Sequence, residues 1–371
     1  MKLLILGLAA AILSQAAPTG VSTRAACATK SQRKAWHTLT RDEKLAYLNA
    51  EKCLMSLPAE LGFEGPRTRF DEFQKLHVFA TSTVHFVGAF LPWHRYLIHT
   101  HEHVLKTECN YTGTHPYWDE PLDAGNFTHS ILLDPETGFG GDGAGPNNCI
   151  QNGPFKHYVN AIGPGQSITD HCIDRQINDC TSAMAAQTNV DQCMAMQNFS
   201  TMWPCLEGAP HGGGHGGIGG EMLNLWSSPG DPLFYLHHAY LDKLWWQWQA
   251  MDLPLRLQDI TGSNQPVSFG PFPGTNGSFP GFPGNGSIPG FPGNGTFPPG
   301  GPGNGSCGMF PGGPFPPVGT GPPRTNLVKR DGDPGNVTTL GHVLTMFGMM
   351  PNVTVADVMD VQGGLLCYEY I

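Results

Sequence analysis

Apolar residues recur along 31–56 at Trp36, Leu39, Leu45, Leu48 and Leu54, in mixed steps of three and four, a spacing that predicts a helix. Residues 70–86 and 92–107 carry two more helical patterns, and Pro92 suits the first turn of the second. Asp231 followed by Pro232 is a helix-start signal for a fourth pattern over 232–250. Between these, 120–170 is rich in Gly, Asn, Asp and Pro and reads as loops. No long period-two pattern stands out, so the predicted fold class is mainly α.

Two stretches break the pattern. At the N-terminus, Lys2 precedes an apolar run, Leu3 to Leu13, that is too short to span a bilayer. Ser14-Gln15-Ala16 follows as a small-residue cleavage site, so residues 1–16 read as a secretory signal peptide. The second stretch, 263–325, repeats a unit FPGxNG[ST] with its asparagines at 276, 285, 294 and 304. Proline removes donors, glycine raises the ordering cost, and few large aliphatics remain to bury. A flexible, glycosylated insert is the expectation. A collagen-like helix is excluded because glycine does not fall at every third position. Lys329-Arg330 follows the insert, and reads either as a dibasic processing site or as two solvated charges. Residues 338–371 regain apolar character, so a C-terminal segment over 326–371 is expected to pack back on a main domain over 17–262.

Composition narrows the class. The 371 residues are 40% hydrophobic and 13% charged, with a net charge of −10 and no basic cluster. That argues against a nucleic-acid or anionic-membrane partner. Ten cysteines in a chain with a signal peptide predict disulfides and a secreted, extracellular protein, though sequence leaves their pairing open. Four of them within Cys172–Cys205 predict a stapled irregular region. Nine N-x-S/T sequons agree with export: Asn110, Asn126, Asn198, Asn276, Asn285, Asn294, Asn304, Asn336 and Asn352.

Histidine carries the candidate chemistry. His85 to His103 holds five histidines in nineteen residues. One group is His77, His85 and His94, at spacings of eight and nine. A second is His211, His215 and His238, the first two one helical turn apart. Imidazole suits copper, zinc, iron and nickel. Paired hydrolytic metal sites usually add carboxylates, and neither triad has an Asp or Glu at ligand spacing. Two sets of three neutral imidazoles suit two cuprous ions that each give one electron to a shared dioxygen.

The segment from His85 to Glu102, HFVGAFLPWHRYLIHTHE, resembles the first copper signature of tyrosinases and hemocyanins, with Ile98 at a loosely specified position. DPLFYLHHAYLD, Asp231 to Asp242, matches the second signature in full. PYWDE at 116–120 and CYEY at 367–370 resemble two further segments of the family's catalytic domain. The resemblance covers roughly 30–260 and the final 35 residues, and the chain closely resembles the short secreted tyrosinases and catechol oxidases of filamentous fungi.

The resemblance implies a four-helix bundle around a dinuclear copper site, with dioxygen as co-substrate and loop-rich, disulfide-stapled surroundings. His77, His85 and His94 are then ligands of the first copper, and His211, His215 and His238 of the second. Asp242 is expected to orient the His238 imidazole, Arg95 and Glu102 to pair, and His99, His101 and His103 to be packing or surface residues. The implied reaction is oxidation of o-diphenols to o-quinones, with small phenolic substrates as partners and a monomer favoured. Tyrosinases often place Asn after the first ligand of the second copper, where a nearby Glu helps deprotonate a phenol. Here Gly212 holds that place and Glu207 is the candidate Glu. The Cys that many members crosslink to the second ligand is replaced by Thr83. Leu225 and Trp226 lie in the segment that shapes the substrate entrance. The Gly212 position and the Leu225–Trp226 entrance favour a catechol oxidase with weak or absent monophenol hydroxylation. A full tyrosinase, an o-aminophenol oxidase and a hemocyanin-like oxygen carrier are the alternatives.

Overall fold

The computed structural model describes residues 27–267 and 332–371. Residues 1–16, read above as a signal peptide, most of the stretch read as an insert with its four sequons, Cys307 and Lys329-Arg330 lie outside these.

Helices dominate the described residues, and the strands are only two or three residues long. Helix α1 is Arg41–Leu54 and α2 is Arg69–Val84. Each starts at a threonine, Thr40 or Thr68, that closes a capping box with the acid three residues on, Glu43 or Asp71. Helix α3 is Phe90–Glu108. Two shorter helices, α4 (Gln187–Met194) and α5 (Phe199–Gly208), follow the loop-rich stretch. Helix α6, Pro210–Ile218, starts on a proline, and α7 spans Leu233–Ala250. Asp231 Oδ1 accepts the Leu233 N–H at the start of α7. The bundle is α2, α3, α6 and α7, and the core between them is aromatic and aliphatic.

The pattern read as one helix over 31–56 resolves into three pieces. Ser31–Arg33 is a strand (β1), Trp36–Thr38 a single tight turn, and only α1 is the helix. The reason is tertiary: β1 pairs in parallel with Tyr368–Tyr370 (β2), Ser31 opposite Tyr368. The Cys27–Cys367 disulfide reinforces this contact across a sequence separation of 340. Cys53–Cys109, Cys149–Cys172 and Cys193–Cys205 are also bonded, and Cys180 is in a disulfide.

The segment 332–371 lies across α3 and α7. Trp93 Nε1 donates to the Thr345 carbonyl and Tyr96 to that of Pro351. Arg95, fully buried and 3.7 Å from the Trp245 ring, donates to the Val358 and Met359 carbonyls and to Gln249. Residues 263 and 264, assigned from sequence to the insert, bond instead to 336–338 of this segment.

Two expected contacts are not formed. Arg95 pairs with Asp242, on the facing helix, and not with Glu102. Glu102 takes Arg33 at 2.7 Å and Lys106. Seven residues along one helix bring two side chains to one face but two turns apart, and nearer partners win: Asp242 and Arg33 on other elements, and Lys106 one turn away. Asp242 in turn does not reach His238: its oxygens receive Arg95, Arg33, Tyr368 and Tyr370. Those partners occupy its oxygens between α7, α3 and the β1–β2 pair.

Candidate metal centre

The bundle interior gathers seven histidines into two groups. His77, His85 and His94 form one; His211, His215, His237 and His238 form the other. Within each, the nitrogens available for coordination lie within 4.8 Å of one another. The groups adjoin: the His94 and His238 rings stack with centroids 4.2 Å apart, and His85 stands 6.3 Å from His211. Phe90 packs between them, 4.9 Å from both the His94 and His211 rings.

Each side chain is delivered by a regular element. His77 sits on α2 and His85 on the residue that ends it. His94 is on α3, His211 and His215 on α6, and His237 and His238 on α7. Between His85 and α3, Phe86 takes a left-handed φ of 58°, a conformation that needs support for a bulky residue. The turn aims the Phe86 N–H at Glu207 Oε1, 2.8 Å away.

Helix α6 reads PHGGGHGGI, a poor helix former. Close packing explains the glycines. A Cβ on Gly213 would stand 2.5 Å from the Ala185 nitrogen, on Gly214 2.3 Å from the His237 ring, and on Gly217 2.6 Å from the Phe127 ring. At these three positions the helix is pressed against its neighbours so closely that only a hydrogen atom fits.

Five imidazoles are oriented by backbone carbonyls. Nδ1–H of His77 donates to Trp226 (2.7 Å), of His85 to Thr81 (3.1 Å) and of His94 to Phe90 (2.8 Å). His211 donates to Glu207 (3.0 Å), and His215 to Met222. A proton held on Nδ1 leaves the lone pair on Nε2, the usual arrangement in a metal-binding imidazole. The Nε2 atoms of His77, His94 and His211 are buried with no hydrogen-bond partner, a cost that coordination would remove. Burial holds all six expected ligands below the ordinary histidine range, His77 at about 4, so they are neutral and ready to coordinate at pH 7. The all-nitrogen donor set fits copper.

His238 differs: its Nδ1 is unpartnered and its Nε2 faces that of His215 at 3.4 Å. Its neighbour His237 donates Nδ1–H to Glu120, leaving His237 Nε2 buried and unpartnered beside the second group. Sequence reasoning treated His237 only as the neighbour of a ligand and gave Glu120 no role. The His-His doublet and the final residue of PYWDE were the available signals.

Glu207 lies beside the centre, 5% exposed, with Oε2 unpartnered. Burial pushes its carboxyl well above the usual range. Gly212 borders the same region. Thr83 donates to the Ala80 carbonyl and offers no sulfur for a crosslink. Leu225 and Trp226 are buried, and the Trp226 carbonyl serves His77. His101 is buried, stacked 3.8 Å from the Tyr235 ring and bonded to His115; His99 stacks on Tyr96, and His103 is exposed.

Residues 67–251 match the family described as the common central domain of tyrosinase. A tyrosinase-like protein of Diaporthe leptostromiformis, phomQ1', is 34% identical over 259 residues, covering 64% of this chain and 68% of that one. Tyrosinase P of Aspergillus terreus is 32% identical over 288 residues, covering 64% and 81%. A polyphenol oxidase variant from Thermothelomyces thermophila superposes with a TM-score of 0.66 at 26% identity, over 92% of this chain and 89% of that one.

Proposed function

The chain belongs to the tyrosinase family, and from that premise we propose that it oxidises o-diphenols to o-quinones with dioxygen, with weak or absent monophenol hydroxylation. The observation that carries this reading is the pair of adjoining imidazole clusters whose Nε2 atoms are freed by Nδ1–H bonds to the backbone. His77, His85 and His94 would hold one copper, and His211, His215 and His238 the other. When bound, the two ions supply the electron exchange that couples catechol oxidation to dioxygen reduction.

The chain's own groups do the rest. The bundle buries most of the imidazoles, and Phe90 packs between the clusters. Glu207 Oε2, buried beside the centre and without a hydrogen-bond partner, is the group placed to exchange a proton with an incoming hydroxyl. Gly212 gives it no side-chain partner. A catechol, already the more acidic substrate, needs less help than a monophenol.

The five sequons within the described residues, Asn110, Asn126, Asn198, Asn336 and Asn352, are all exposed, which supports a glycosylated, exported protein. No helix among the described residues is long and apolar enough to cross a membrane.

The test is oxygen uptake by the copper-loaded protein with 4-methylcatechol and then p-cresol. Uptake with the catechol alone is the expected result. Uptake with both would make the protein a full tyrosinase. No uptake with either, at two coppers per chain, would overturn the enzyme reading and favour an oxygen carrier.

A further inference from the structure

Of the six expected ligands, His215 and His211 are the most exposed, at 9% and 7%, against 3% or less for the others. Solvent therefore approaches the centre alongside α6. On that helix every residue is buried except Gly212. A Cβ placed on Gly212 meets one heavy-atom neighbour within 4 Å, Met184 Cε at 3.5 Å. The space beside His211 that a side chain at 212 would fill is thus bordered by a methionine, itself partly exposed.

The backbone of Met184 is firmly placed. Asn189 Nδ2 donates to its carbonyl at 2.9 Å. Cys180, four residues earlier, is disulfide-bonded. Its own carbonyl carbon would lie 2.9 Å from a Cβ on Gly213, so the turn is seated directly against α6. The side chain is the opposite: unbranched, with three rotatable bonds and a polarizable sulfur, suited to packing on flat rings of varied shape.

We propose that Met184 is a specificity-determining residue, its thioether forming the apolar edge of the approach to the second cluster and limiting the bulk of the substituent that a phenolic ring can carry. The proposal rests on reading the centre as a phenol oxidase. Adding or removing a few methylenes at such an edge changes selectivity by about tenfold or more.

The experiment compares the copper-loaded full chain with M184A, M184F and the conservative M184L, at equal copper per chain. Titration calorimetry gives the affinities of benzoate and 4-tert-butylbenzoate, two ring carboxylates that are not oxidised. Kinetics give kcat/KM for catechol and 4-tert-butylcatechol. M184A is expected to shift both ratios about tenfold toward the bulky compound, M184F to shift them the other way, and M184L to follow the parent. Unchanged ratios in M184A and M184F would overturn the proposal. If the parent does not oxidise catechol, the phenol-oxidase reading fails, and the benzoate ratios still decide the place of Met184.

Discussion

Every imidazole that donates from Nδ1 to a carbonyl has its ring fixed before any metal arrives. His77 is an example: its orientation depends on the Trp226 carbonyl, 149 residues away. Replacing His77 with alanine should leave about one copper per chain by elemental analysis, with the second cluster still loaded. Charge at the residue scale makes a different prediction. Burial alone would raise the Glu102 carboxyl, but Arg33 and Lys106 outweigh it and hold the group at about 2. A depressed carboxylate contributes stability that is complete above its ordinary value of 4.5 and is lost as pH falls from there toward 2. Glu102→Gln should therefore lower stability at pH 7 by at most about 3 kcal/mol. Its deficit relative to the parent should shrink across that acid window in denaturant titrations. The imidazole clusters are legible in the sequence because two dense motifs carry most of them. The Glu120–His237 contact is not, since its partners are 117 residues apart and only the fold brings them together.

At the scale of the element, α6 is the instructive case. Its glycines cost up to about 1 kcal/mol each relative to alanine, so the helix exists because its neighbours hold it. One substitution made at two places should have opposite signs. Gly212→Ala meets only the ordinary contact with Met184 and should raise stability by up to about 1 kcal/mol. Gly217→Ala drives a methyl into Phe127 and Ser182 and should cost about 1–3 kcal/mol, with a fall in copper content. Thermal melts and metal analysis of the two variants check both. Helices α2, α3 and α7 were readable from apolar spacing and start signals. Helix α6 has no apolar stripe to read, and its histidine pair one turn apart was its only mark.

Over the whole molecule, the described segment 332–371 braces the helices that carry His94 and His238. It does so through Arg95, Trp93, Tyr96 and the two tyrosines on Asp242. It is also tied to the N-terminal region by Cys27–Cys367 and to residues 262–264 by backbone bonds. Cutting the chain anywhere in 268–331 should therefore leave a two-piece protein that elutes as one species and keeps its copper. Separation of the pieces on a non-reducing denaturing gel would contradict this. Replacing both Cys27 and Cys367 with alanine should cost at most about 6 kcal/mol on a chain-entropy estimate for so long a loop. A parallel pair between positions 337 residues apart leaves no trace in local spacing, which is why β1 was read as the start of a helix.

The meeting of β1 with β2 also sets an order of events during synthesis. Helices α2, α3, α6 and α7 are all made before Tyr368 and Tyr370, yet Asp242 and Arg33 acquire those phenols only when that strand arrives. Until then, the nascent protein holds every candidate ligand and lacks the brace that fixes two of their helices. Copper loading should accordingly follow translation, and a chain truncated before residue 368 should take up less copper than the parent.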